Sequence, residues 1–477
     1  MKRKNFNLSG VAAAIMAATL VVACGKETNP SNGDVDSILF ENGTQIGDGS
    51  QEFEFRGKAT LPKGTYLMKG WIYVCNGAEL TIAPGTVIKG DKSTSAALIV
   101  EPGGKIHATG TPDAPIVFTS AQSKGNRMPG DWGGIIICGL AQNNQKIMQI
   151  EGGPRTMHGG NDNMDCSGEL QYCRIEYAGF PFAKDKEING LTLGSVGSGT
   201  KIDHIMVSYC NDDSFEWFGG TVNCDHLVAY HGWDDDFDTD NGFSGNVQYC
   251  LSVRNPLIAD TSKSNGFESD NDADGDSKMP MTAPHFSNIT LVGPIGQNGF
   301  TYEDSIDGGK ITGGDHFPNN GSALGVFQAA MHLRRNTRLN CENTLAIGWP
   351  AGIIIDNQRG DCRSVYSSAS AVLKNIVIAD SGIEGSDFNG VYKDEFMTDY
   401  GSKTTDPSQK SFSSTWFTSD ASRRFCSSSE LGLTSINGLP AFIPASDGSL
   451  NGIGAFNGPS DNWMSGWTEF DPDNAEY

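Results

Sequence analysis

The chain has 477 residues, 60 of them glycine, with 19% charged residues and a formal net charge of −23. So little charge excludes a charged disordered chain, and so many glycines exclude a helical bundle, where each costs about 1 kcal/mol. The negative charge would be repelled by a phosphate backbone, which excludes nucleic acid as a partner and leaves cations and neutral ligands open.

The first residues read as an address. Lys2, Arg3 and Lys4 precede an almost wholly apolar stretch from Val11 to Ala23, too short for a comfortable membrane span. It ends in Val21-Val22-Ala23-Cys24, which resembles the bacterial lipobox. Residues 1–23 are therefore expected to be a lipoprotein signal peptide, and Cys24 the lipidated first residue of an outer-membrane protein. Gly25-Lys26-Glu27 carries no inner-membrane retention Asp and is similar to the surface-export signal of Bacteroidota lipoproteins. Residues 24–59, polar and rich in Gly, Asn and Ser at their start, read as a tether.

Repeats then set the fold. Ile82-Ala83-Pro84-Gly85 returns as Val100-Glu101-Pro102-Gly103, a step of 18. Asp203-His204-Ile205 returns as Asp225-His226-Leu227, a step of 22 that also sets Phe215 on Phe237, Glu216 on Asp238 and Gly220 on Gly242. Phe267-Glu268 continues the Phe-acid pair and Gly299-Phe300 the Phe alone. Tyr172-Cys173, Tyr249-Cys250, Asn288-Ile289 and Asn375-Ile376 open a third ladder of short β-forming segments. Short strands at this period with Gly-rich corners predict an all-β parallel β-helix over residues 60–440, its Phe ladder inside and its Asn positions hydrogen-bonding turn backbones. Insertions around 155–168, 257–285, 301–325 and 385–440 are expected to leave it as loops. Residues 441–477, with Trp463, Trp467 and Phe470, read as a cap over an open end; a carbohydrate-stacking platform is the rival reading.

The motifs TIAPGTVIKG at 81–90, GDWGG at 130–134, DDSFEWFGG at 212–220, DDDFDTDNG at 234–242 and DNWMSGW at 461–467 resemble a largely uncharacterised family of Bacteroidota surface lipoproteins. The resemblance implies a right-handed β-helix of the pectin-lyase type on the cell surface. It also implies companionship with TonB-dependent transporters, and no established activity.

Acidic residues crowd the middle of the chain. Asp212, Asp213, Glu216, Asp234, Asp235, Asp236, Asp238 and Asp240 fall within two repeats, followed by Glu268, Asp270, Asp272, Asp274 and Asp276. Stacked like charges need neutralising, and Ca²⁺ suits flexible carboxylate and carbonyl ligands. Asp270-x-Asp272-x-Asp274-Gly275 matches the front half of a calcium loop but has Met281 at its twelfth position. Asp236, Asp238 and Asp240 share the same spacing. The expected Ca²⁺ ligands are Asp234, Asp236, Asp238, Asp240, Glu268, Asp270, Asp272 and Asp274; the competing reading is a solvated acidic face.

Two function classes follow: a lipid-anchored surface binding or scaffold protein, which is favoured, and a polysaccharide lyase or glycoside hydrolase acting on a glycan. His231 and Arg334-Arg335 are the further groups that the enzyme reading would draw on, yet His231-Gly232 precedes Asp234-Asp235, against the polygalacturonase order. No catalytic residue is assigned. With Cys24 lipidated, ten cysteines remain; Cys173 and Cys250 read as small buried hydrophobes, while Cys166–Cys173 and Cys341–Cys362 are the first pairs to test for disulfides. His204 and His226 stack by register and read as structural. Asp36-Ser37-Ile38 and Asp304-Ser305-Ile306 resemble the Bacteroidota O-glycosylation sequon.

Overall fold

Short strands with one apolar face cannot bury that face alone, and here they stack coil upon coil. The computed structural model describes residues 38–39, 41–183, 186–300, 325–387, 396–399, 402–404 and 410–477. Cys24 and both Asp-Ser-Ile tripeptides fall wholly or mostly outside them. Two long parallel sheets, of 16 and 11 strands, run the length of a right-handed parallel β-helix.

Early coils have three strands. One coil runs Glu79–Ile82, Val87–Gly90 and Ala97–Val100 before Lys105–Thr109 begins the next. Leu80 pairs with Ile106 and Ile72 with Leu98, so the coil step there exceeds 18 residues. The two Pro-Gly turns of the 18-residue repeat are two corners of a single coil, which corrects their reading as successive coils. From the nine-residue strand Gly168–Glu176 onward two faces fuse: this strand pairs with both Lys105–Thr109 and Ile116–Ser120. A left-handed residue bends each fused strand. Tyr172, His204, His226, Tyr249, Asn288, Asn343 and Asn375, with φ of 49°, 57°, 55°, 56°, 58°, 52° and 53°, occupy that position in turn. Asn tolerates this conformation best, and Asn375 Nδ2 donates to Asn343 Oδ1 at 2.9 Å, a bond between side chains of adjacent coils and not the expected bond to a turn backbone.

The 22-residue register holds. Phe215 lies beside Phe237 and Phe237 beside Phe267, with ring centroids 5.8 and 5.7 Å apart and all three fully buried. The next rung is Met331, not Phe300, which packs beside Phe327 instead.

Both chain ends differ from expectation. The coils begin at Ile38–Leu39, inside the expected tether, because Ile46 and Phe55 alternate with polar neighbours and turn inward. The far end of the stack is covered by the short helix Phe412–Phe417, whose Phe417 is buried and whose Ser413 hydroxyl accepts from Ile355 N at 2.9 Å. Residues 441–477 are not an end cap. They run as a strap back along the outside of the larger sheet, covering Met206, Val228, Leu251, Val292, Leu345 and Val377. Gly454 N donates to Asn343 O at 2.8 Å, while Tyr477 OH reaches Glu176 at 2.6 Å and Lys89 Nζ reaches Tyr477 O at 2.8 Å. The physical reason is that these strands are apolar on both faces along their second half, so the outer face also needs cover. Trp467 is fully buried under the strap and Trp463 donates to Ala455 O, so neither forms an open stacking platform.

All ten cysteines from Cys75 to Cys426 are free thiols, which corrects both proposed disulfides. Cys173 and Cys341 are buried in the core as small hydrophobes, Cys341 sharing a contact with the Thr344 hydroxyl at 3.0 Å.

Candidate metal centre

The strands that carry the Phe ladder inward carry acids outward. Thr192, Glu216, Asp238, Glu268 and His332 lie side by side on consecutive coils of the smaller sheet. Gly220 ends one of these strands at φ 91°, where a Cβ would stand 2.5 Å from Val196 O; Gly242 repeats the device at φ 90°. The turns before the strands add a second row. Asp213 Oδ1 accepts from Asp235 N at 2.8 Å, and Asp235 Oδ1 accepts from Asn265 N at 2.5 Å.

Carboxylate oxygens of Asp213, Glu216 and Asp238 lie within 4.8 Å of one another, as do those of Asp235, Asp238 and Glu268. Asp238 belongs to both groups, and its buried Oδ1 has no hydrogen-bond partner. Asp234 forms a third group with Asp212 and Asp213, accepts from the Ser262 hydroxyl, and also keeps a buried Oδ1 without a hydrogen bond.

Burial and then neighbouring acids push Asp213, Glu216, Asp235 and Asp238 well above the usual carboxylate range. Burial and Asp270 do the same to Asp240. The opposite end of the ladder is neutralised. Arg334 pairs with Glu268 and, at 2.7 Å, with Asp270, which Arg335 also holds at 2.6 Å. Burial would raise Glu268, but Arg334 and His332 outweigh it and hold the carboxyl down at about 2. His332 is fully buried between Glu268 at 3.2 Å and Asp356 at 3.3 Å; burial would lower its pKa, and these two carboxylates raise it.

Of the eight expected ligands, Asp234, Asp238 and Glu268 enter these groups. Asp236 does not: it is fully buried on the other side of the turn, 2.9 Å from Arg254 and hydrogen-bonded to Ser252. The strand starts only at Phe237, so alternation does not extend back to Asp236. Asp240 faces outward near Asp270 and the two arginines. The 270–274 motif splits, because Asp270 is taken by Arg334 and Arg335 while Asp272 groups with Asp274 and Asp276. Asp272 Oδ1 there accepts from the backbone N–H of Asp274 and Asp276 at 2.9 and 3.1 Å, and Lys278 stands 3.7 Å away. His332 was absent from the sequence-based set; its only signal is a lone polar residue in the apolar run Ala329–Leu333. His231 is remote from the ladder chemistry, stacked on Tyr230 at 3.7 Å, and burial lowers its pKa to about 3.

The model of the pectate-lyase-like β-helix domain matches residues 54–421, most of the chain. The chain belongs to the pectate-lyase-like β-helix family. No curated protein matches it. Among solved structures, the Dettilon tailspike protein is similar at 12% identity with a TM-score of 0.28, over 69% of this chain and 62% of that one.

Proposed function

We propose that this family member is a lipid-anchored surface binding protein whose acid ladder holds a divalent cation, Ca²⁺ by ligand chemistry. The observation that carries the reading is the pair of carboxylate groups sharing Asp238, whose buried oxygen lacks a hydrogen bond. Hard oxygen donors fit Ca²⁺, with Asp213, Glu216 and Asp238 or Asp235, Asp238 and Glu268 as its holders. The ion would relieve the repulsion that burial enforces. The lipobox ending at Cys24 supports anchoring in the outer membrane, and the resemblance to surface lipoproteins supports a transporter companion. Calorimetric titration of the chelated protein with Ca²⁺ tests the reading: Asp238→Asn is expected to abolish binding, and an unchanged isotherm would overturn it. Palmitate labelling tests the anchor, since Cys24→Ala must lose the label.

A second reading rests on a different observation. Asp238 and Glu268 are adjacent carboxyls whose environments push their proton affinities apart, which is how an acid and a base are assigned in a glycoside hydrolase. Arg334 cannot serve as a lyase base, because Glu268 and Asp270 hold its guanidinium charged against the cost of burial. Reducing-end release from neutral and acidic glycans that is lost in Glu268→Gln would favour the hydrolase over the binding protein.

A further inference from the structure

On the other long sheet, a stack of rings crosses four coils. Tyr172, His204, His226 and Tyr249 lie face to face with centroids 4.3, 4.2 and 5.2 Å apart. All four are the left-handed residues of their strands, so the backbone fixes where their side chains leave the sheet. The two imidazoles share one carboxylate: Asp203 Oδ1 is 2.6 Å from His204 Nδ1 and 3.2 Å from His226 Nδ1. One donor atom from each of the three residues lies within 4.8 Å of the others. Trp467 stands edge-on to His204 at 5.4 Å and Trp463 to His226 at 5.1 Å, forming a wall from the strap. The side chains of Asp203, His204 and His226 retain 22%, 13% and 26% of their exposure, so the cluster is shielded but reachable.

We infer that Asp203, His204 and His226 form a second cation site, selective for a borderline divalent ion of the Zn²⁺ class. Two imidazoles and one carboxylate make the donor set that zinc prefers, and it differs in kind from the all-oxygen ladder. A tetrahedral zinc with bonds of about 2.0–2.1 Å needs donor atoms roughly 3.3 Å apart. The His226 Nδ1–Asp203 Oδ1 separation of 3.2 Å is close to that value, while the His204 Nδ1–Asp203 Oδ1 separation of 2.6 Å must widen by about 0.7 Å to admit the ion. Neutral imidazoles bind through Nδ1 by moving their proton to Nε2, so no net proton leaves. The aromatic walls hold both rings in place. The site stands independently of the acid ladder, so either can fail without the other.

The test uses the chelated full chain without a polyhistidine tag. Zn²⁺ titration by calorimetry at pH 7.5 is expected to give one site per chain, weakened at least tenfold by Asp203→Asn and by His226→Gln. Ni²⁺ is expected to quench fluorescence from the adjacent Trp463 in the wild type and not in His226→Gln. A cooperative melting transition in each variant, measured in chelator, verifies that it folds; should His226→Gln fail to fold, Asp203→Asn alone carries the decision. Zn²⁺ affinity unchanged in the folded variants, or Zn²⁺ binding lost only in Asp238→Asn, would overturn the inference, as would no binding at millimolar Zn²⁺.

Discussion

The Phe and acid ladders occupy neighbouring positions on the same three strands, one residue apart, and respond oppositely to the same repetition. Stacking Phe215, Phe237 and Phe267 adds ring contact and buried apolar area at every coil. Stacking Glu216, Asp238 and Glu268 adds a like charge at every coil, so each repeat makes the next less favourable. A solenoid thus multiplies whatever its outward and inward positions carry. The inner ladder stabilises by itself, and the outer one needs a counter-charge, which Arg334 supplies at one end alone.

The largest effect should come from the inner ladder. Phe237→Ala is expected to cost about 3–5 kcal/mol, the range for emptying a buried aromatic site, read as a lowered denaturation midpoint. Breaking the outer ladder's compensation comes next: chelation should lower stability by about 2.7 kcal/mol relative to Ca²⁺ at a hundredfold excess over its dissociation constant. Identical melting in chelator and Ca²⁺ would leave the ladder as a buried acidic row that relieves its repulsion by holding protons and not a cation. Asp238→Asn sharpens the contrast, because in chelator at a pH above the raised Asp238 value it should stabilise by about 1 kcal/mol through loss of one repelling charge, while erasing the response to Ca²⁺. A destabilised, Ca²⁺-responsive Asp238→Asn protein would contradict both halves of that statement.

The pH profile separates the ladders further. Glu216 and Asp238 have folded pKa values above their unfolded ones, so the native state binds more protons across that window. Their stabilisation is present at low pH and is lost as pH rises through the raised values. His332 acts with the same sign, since its raised value means stability lost on the alkaline side. Glu268 acts oppositely, its contribution falling away as pH drops from the ordinary range toward about 2. Thermal melts in chelator should therefore show a higher midpoint at pH 5 than at pH 8, and Ca²⁺ should flatten the difference. The smallest effect is expected at the turn ladder: Asn375→Gly, which keeps the left-handed backbone free of strain, should cost about 0.5–1.5 kcal/mol, one side-chain hydrogen bond to Asn343, measured by chemical denaturation.

Much of this contrast was legible in the sequence. The 22-residue period placed Phe215 on Phe237 and Glu216 on Asp238, because a parallel stack repeats residues in register. The 18-residue period misled, since Pro-Gly corners recur within a coil as well as between coils. Asp236 was misplaced for a local reason: alternation is a property of strands, and Asp236 sits in the turn before one, where Arg254 draws it inward. His332 was invisible because its partners Glu268 and Asp356 meet it only through stacking across a long insertion. The strap was misjudged because strands buried on both faces were read as having one, although runs such as Ile205-Met206-Val207 carried the signal.

That strap alters the energetics of the whole array. In a bare solenoid each coil contacts only its neighbours, so unfolding can start at an end and proceed coil by coil. Here residues near Asn343 and residues near Lys89 are joined through one segment, with Lys89 and Tyr477 linked across nearly the full sequence. Peeling any intermediate coil must first detach the strap, so nearest-neighbour stability becomes shared cooperativity. The same contacts carry a kinetic penalty, since they close only after every intervening coil has formed, and high sequence separation slows folding. A chain emerging from its amino end would leave the outer apolar face of its middle coils uncovered until its last residues arrive.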